Sequence, residues 1–314
     1  MFKLDAMYLG TYRDTYRFFY YLSKFTNTHF IKPKQVHTMK SSADICSIKK
    51  IISVLMASLG LFAFASPVLA QAVKDSNSEL AAKLTNPVAD LISVPFQYNY
   101  DANIGLDKKG TSNTLVFQPV VPVKLNNDWN YIIRPVVTLE SLNNVNGYSG
   151  TGAGPVLFET FFSPRASSEL IWGVGPVIST PSLSGKQFGT SQTGAGVAAV
   201  GLWMKAPWSV GMLTYNTWSA GGDSTYGTAN NLYYQPFVSY VTKDAWTYSL
   251  NTQSTFNWDA RRAENPMNFT VSKLVNFGQH PVSFSVGARY YLSSVPGGPS
   301  GWGGRASVTF IIPE

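Results

Sequence analysis

From residue 92 onward, apolar and polar side chains alternate with a period of two. Ile92, Val94, Phe96, Tyr98 and Tyr100 fall on one face, and Ser93, Gln97, Asn99 and Asp101 on the other. Trp129, Tyr131, Ile133, Pro135, Val137 and Leu139 alternate with Asn130, Ile132, Arg134, Val136, Thr138 and Glu140. The same rhythm runs from Trp246 to Trp258 and from Val282 to Leu292. Successive side chains of a strand point to opposite faces, so each stretch reads as a strand with one apolar and one more polar face.

Twelve such strands are predicted: 92–101, 113–125, 129–140, 154–163, 169–180, 192–204, 208–218, 231–242, 245–258, 266–276, 281–292 and 302–312. The connections alternate in length. Longer ones, rich in Gly, Ser, Asn and Asp, span 102–112, 141–153, 181–191, 219–230, 259–265 and 293–301. Shorter ones lie near 126–128, 164–168, 205–207, 243–244 and 277–280. Tight turns at one end and longer loops at the other are the plan of an outer-membrane barrel. The predicted fold is therefore all-β: a transmembrane, up-and-down antiparallel β-barrel of about twelve strands. A soluble sandwich or lipocalin-like barrel would turn its apolar faces inward and decorate the exterior with charge. Here the apolar faces carry aromatics near the strand ends. Trp129, Trp208, Trp218, Trp246, Trp258 and Trp302 are the candidates for the two girdles. Twelve residues at about 3.3 Å each, tilted near 40°, rise roughly 30 Å, about the height of an apolar band with its girdles.

The N-terminal part follows other rules. Ile51 to Ala65 is an apolar run preceded by Lys49 and Lys50 and followed by Ser66-Pro67-Val68-Leu69-Ala70-Gln71-Ala72. A basic region, a short apolar core and small residues suited to cleavage after Ala70 or Ala72 predict a signal peptide. Met39-Lys40 begins a signal of ordinary length, so the expected organisation is an upstream extension over 1–38, a signal over 39–72, a short helical segment over 73–91 and the barrel over 92–314. Within the third part, Ser78–Leu91 predicts an amphipathic helix or two broken turns interrupted by Pro87. In the barrel plan it either rests in the periplasm or plugs the lumen, packed against the barrel or acting as a gate.

Composition sharpens this reading. Of 314 residues only 13% are charged, against 45% hydrophobic and 14% aromatic. That charge fraction is about half the norm for soluble domains. The net charge of +7 suggests a nucleic-acid partner only until it is located. Of 24 basic and 17 acidic residues, nine and three lie in 1–72, which leaves 15 and 14 in the rest. No nucleic-acid role is expected. The single cysteine, Cys46, is also in the leader, so the remainder has no thiol chemistry.

Candidate chemistry is sparse. Only His280 follows the signal, in a predicted turn, which disfavours Ser–His hydrolysis and an enzyme of any familiar kind. Residues 150–154 (Gly-Thr-Gly-Ala-Gly) lack the strand–helix context and the lysine of a phosphate loop. No cofactor and no metal are expected. Alternation points Lys124, Arg134, Glu140, Glu159, Glu169, Arg289 and Arg305 into the lumen. On the other face, near mid-membrane, an Arg or Lys costs roughly 2–4 kcal/mol. These charges either pair with one another or line a path. Arg289 and Arg305 flank the 293–301 loop and predict a cationic long-loop mouth, with Glu140 as a neutralising neighbour. Glu159 and Glu169 flank 164–168 and predict an acidic patch at the opposite mouth, with Arg165 as partner. Pro119, Pro135, Pro176 and Pro236 fall within strands, where proline marks a bulge or an edge.

The stretches 79–105 (ELAAKLTNPVADLISVPFQYNYDANIG), 169–177 (ELIWGVGPV), 207–223 (PWSVGMLTYNTWSAGGD), 232–260 (LYYQPFVSYVTKDAWTYSLNTQSTFNWDA) and the run to Pro313 resemble a bacterial outer-membrane family usually labelled "transporter", in places mislabelled neuromedin U. That family is related to the MetA-pathway phenol-degradation barrel proteins. The resemblance implies a Gram-negative outer-membrane barrel, only loosely implies transport, and carries over no catalytic residue; the first functional reading is passage of small solutes, hydrophobic or aromatic ones among them. The expected partners are outer-membrane lipids, a small solute and the assembly machinery. One departure is that the last aromatic, Phe310, lies four residues from the end, where outer-membrane barrels commonly finish on an aromatic. A structural or surface-interaction barrel without transport is the alternative function.

Overall fold

The computed structural model describes residues 77–312, apart from 166–167 and 279. The expected extension, signal peptide and cleavage sites, and Cys46 with them, lie outside the described residues.

Fifteen hydrogen-bonded segments build one closed antiparallel barrel. They are β1 (Ile92–Ile104), β2 (Gly110–Phe117), β3 (Val121–Lys124), β4 (Trp129–Val145), β5 (Tyr148–Ala153), β6 (Leu157–Pro164), β7 (Leu170–Ser179), β8 (Gln192–Lys205), β9 (Trp208–Gly222), β10 (Asn231–Val241), β11 (Trp246–Thr252), β12 (Ser254–Asn257), β13 (Arg262–Phe277), β14 (His280–Ser293) and β15 (Gly301–Ile312). Three pairs are single barrel strands with a break. β2 and β3 both pair with β4, as do β5 and β6, while β11 and β12 both join β10 to β13. Twelve strands result, and β1 closes the ring by pairing with β15 from Ile92↔Ile312 to Tyr100↔Gly304. Closure leaves no free edge, which satisfies every ladder of a sheet surrounded by apolar solvent.

The breaks have local causes. Pro119 sits between β2 and β3, where a residue without N–H cannot continue the ladder, and the bridge Ser93↔Val120 resumes it. At the tight-turn end, the Asn126 side chain accepts from the N–H groups of Asp128 and Trp129 and closes the β3–β4 turn. At the other end, the strands run further than alternation suggests. The expected 141–153 loop is a hairpin: β4 continues to Val145, β5 starts at Tyr148, and Asn146-Gly147 turns the chain with φ of 50° and 81°. That dipeptide is the strongest short hairpin signal. The strands there are polar on both faces, so periodicity lost them. β9 to Gly222 and β13 from Arg262 likewise shorten the expected 219–230 and 259–265 loops.

The exterior carries the large apolar side chains, among them Leu139, Phe158, Val197, Phe269 and Val286. All the girdle candidates are on it. Trp129, Trp208 and Trp246 stand near the tight-turn end, where Trp172 and Trp203 join them; Trp218, Trp258 and Trp302 stand near the long-loop end. Trp129 meets Trp172 edge-on at 5.8 Å, Trp208 meets Tyr240 at 4.9 Å, and Lys273 lies 5.1 Å over Trp246. Indoles and tyrosines at two levels flank an apolar belt, as membrane-spanning barrels require.

Candidate functional site

The lumen is divided lengthwise. Between β4 and β9 much of the inner face is apolar: Ile132, Phe161, Val177, Ala198, Val200 and Leu213 form a buried cluster, with the Arg134–Glu159 pair beside it. Strands of this wall are therefore apolar on both faces. Across from it, β10, β11 and β13 to β15, with β1, turn Ser239, Thr247, Ser249, Thr270, Ser272, Ser283, Ser285, Ser307 and Thr309 inward. Tyr215 and Tyr233 stack at 4.8 Å on one border between the two walls.

The segment preceding β1 occupies the tight-turn end of this lumen. Helical turns over 77–83 end at Leu84–Thr85, and Asn86 accepts from the Val88 N–H to turn the chain around Pro87. Val88 inserts into the apolar cluster of the β4–β9 wall. Ala81, Ala89 and Leu91 pack on Val241, Ala245, Leu274 and Ile311. Polar ties complete the seat. Thr85 Oγ1 donates to Ser209 Oγ at 2.8 Å, Asp90 pairs with Arg165 at 3.1 Å, and Asn276 donates to Asn77 at 2.8 Å. Of the two placements expected for this segment, the lumen is the one occupied.

Above the plug lies a cavity of about 270 Å³. Its sides are the hydroxyls of the polar wall. Toward the long loops it meets Gln97, Gln118, Gln235 and Gln253, with the guanidinium groups of Arg134 and Arg305. Arg134 pairs with Glu159 at 2.5 Å and donates to Gln118 at 3.0 Å. Arg305 donates to Asn99 at 2.8 Å and to Gln253 at 2.5 Å. Beyond this collar, Arg289 faces Asp101 at 3.3 Å and donates to the Tyr291 hydroxyl at 2.9 Å, and Ser112 donates to Glu140 at 2.6 Å. In the registers of β14 and β15, Arg289 opposes Gly303 and Arg305 opposes Gly287. A Cβ on Gly303 would stand 2.9 Å from the Asp101 carboxylate.

Arg134, Glu140, Glu159, Arg289 and Arg305 thus all face the lumen, and Lys124 is exposed at its tight-turn rim, opposite Asn130. Three expectations change. Glu169 is outside the barrel: it pairs with Lys205 at 3.0 Å and accepts from the Trp203 indole at 3.2 Å. It precedes β7, so the parity of the strand does not extend to it. Glu159 is deep in the lumen against Arg134, and Arg165 is held by Asp90, so no acidic patch forms at the tight-turn mouth. The long-loop mouth is not a simple cationic ring either. Asp101 partners Arg289 directly, and Glu140 and Glu264 also lie on the lumen side of their strands. Asp101 was legible on the polar face of β1; Glu264 was hidden in a presumed loop. On the exposed 223–230 connection, hydrogen bonds from the Thr225 hydroxyl and N–H to Asp223 hold its carboxyl below the usual carboxylate range. His280 is exposed at the start of β14, opposite Phe277.

A closed twelve-stranded barrel with an apolar belt, two aromatic levels and a plugged, partly polar lumen belongs to the outer-membrane type of architecture. No family model matches the chain, and no curated protein is similar to it. Among solved structures, it is similar to an outer membrane channel from Pseudomonas putida F1, with a TM-score of 0.54 and 12% identity over 71% of this chain and 96% of that one. An outer membrane phospholipase dimer of Salmonella typhi with bound calcium gives a TM-score of 0.43 at 13% identity, over 74% and 98% of the two chains. The NanC porin gives 0.44 at 11%, over 71% and 100%. At such identities the likeness is one of fold.

Proposed function

We propose that this chain is an outer-membrane channel that passes small polar solutes along the hydroxyl-lined side of its lumen. The observation that carries the reading is the cavity above the plug. Apolar packing fills one half of the lumen, and a wall of Ser and Thr with an Asn and Gln collar keeps the other half open. A barrel built only for structure gains more by packing both halves, since burial of apolar surface is the main favourable term. Hydroxyls and amides facing a cavity replace, one bond at a time, the water a polar solute sheds on entry. The aromatic levels and apolar belt support insertion in the outer membrane, with the tight turns toward the periplasm and the signal peptide as the route of export. The exposed Phe310 on the outer face of β15 is the terminal aromatic offered to the assembly machinery.

Kinship with the phenol-degradation barrels is part of the same proposal, but the lining favours a hydroxylated solute over a bare aromatic one. The likeness to a phospholipase fold does not bring a hydrolase mechanism with it, because His280 lies outside the lumen cavity. Planar-bilayer conductance and liposome swelling with the barrel of residues 73–314 test the proposal. Ion conductance together with swelling in a small polyol is the expected result. A sealed membrane and no swelling would favour a structural or surface role.

A further inference from the structure

The carboxylates and the cations of the lumen are not distributed alike. The cavity above the plug is lined by Lys83, Arg134 and Arg305, and by no aspartate or glutamate. Arg134 is neutralised by Glu159, which lies behind the lining. Lys83 is exposed and pairs with Glu79 within its own helical turns. Arg305 differs from both. It is 7% exposed, borders the cavity, and among the described residues its side chain donates to the neutral amides of Asn99 and Gln253. It forms no ion pair among the described residues. Taking a guanidinium out of water without an anion is costly, and buried charges are as a rule paired. The amides orient its donors but supply no charge.

Resting on the channel reading above, we propose that this cavity is a binding site for a small hydroxylated monoanion, a sugar acid or hydroxy acid, whose carboxylate pairs with Arg305. The planar guanidinium suits a carboxylate bidentately. The rest of the solute then faces Ser249, Ser285, Ser307 and Thr309, which donate and accept equally well and so match vicinal hydroxyls. At about 270 Å³ the cavity is slightly smaller than the usual small-molecule site of about 300–1,000 Å³, which fits one sugar-sized molecule and not an oligomer.

The test uses the detergent-solubilised barrel of residues 73–314 and three probes in calorimetric titration. D-gluconate carries both charge and hydroxyls, sorbitol only hydroxyls, and benzoate only charge on an aromatic ring. The expected order is gluconate first, with sorbitol and benzoate each at least about tenfold weaker, the scale of one charge-assisted hydrogen bond. Arg305→Gln should bring gluconate down to the level of sorbitol, and Arg305→Lys should keep part of the preference. If Arg305→Gln fails to fold, the order of gluconate, sorbitol and benzoate on the unmodified barrel, with Arg305→Lys as the charge-keeping variant, still decides. Equal binding of gluconate and sorbitol, or benzoate above both, overturns the proposal. Gluconate binding without any flux would sink the channel reading and leave this site standing; flux without a gluconate preference would do the reverse.

Discussion

Between β4 and β9 the inner face packs Ile132, Phe161, Val177, Ala198, Val200 and Leu213 together; between β11 and β15 the corresponding positions are mostly Ser and Thr. The outer faces of the two walls are alike, since both must meet hydrocarbon. The inner faces differ because nothing outside the protein constrains them. One wall takes up the plug through Val88 and packs as a soluble core does. The other is left open above the plug. The contrast teaches that the lumen is neither a uniform pore nor a filled barrel, but a core and a passage side by side.

The largest effects should come from the packed side. Phe161→Ala leaves a cavity where a ring is fully buried and should cost about 3–5 kcal/mol, while Ser285→Ala on the open side should stay within about 0.5 kcal/mol. Urea unfolding followed by tryptophan fluorescence compares them, and equal losses would erase the distinction. Glu159→Ala strands Arg134 near the packed wall and should cost about 3–5 kcal/mol, with much of the loss recovered by adding Arg134→Met. Deleting 73–91 removes the plug and should raise single-channel conductance severalfold with the barrel still folded, as heat-modifiable gel mobility reports. A smaller effect is expected at the mouth. Arg289→Ala with Arg305→Ala removes the cation paired with Asp101 and a second lumen cation while keeping Asp101, Glu140 and Glu264, and should move the reversal potential in a salt gradient toward cation selectivity. An unchanged potential would mean the mouth charges do not face the ion path.

The strand order and count were legible because lipid imposes one strict rule, an apolar outer face, on every strand. Trp172 and Trp203 obey it as fully as the tryptophans singled out from sequence. The inner face obeys no such rule. In β8, apolar and small residues alternate with one another, so Ala198 and Val200 gave no sign of lying in a core. Glu169 was misplaced because parity fails one residue before a strand begins, and Glu264 because the polar strand extension reads as loop. The plug was visible as helical residues, but its seat depends on contacts with Ser209, Arg165 and Asn276, which lie 124, 75 and 199 residues away along the chain. No local pattern encodes those.

The most direct test of the divided lumen is cysteine accessibility under conductance. The barrel has no native cysteine after Cys46, so Ser285→Cys and Val177→Cys can be introduced singly. A cationic methanethiosulfonate reagent added to the open channel should modify the cysteine at 285 and lower the current, and should leave the one at 177 unmodified. Modification at 177 as fast as at 285, or current loss from 177 alone, would contradict a passage confined to the hydroxyl-lined wall.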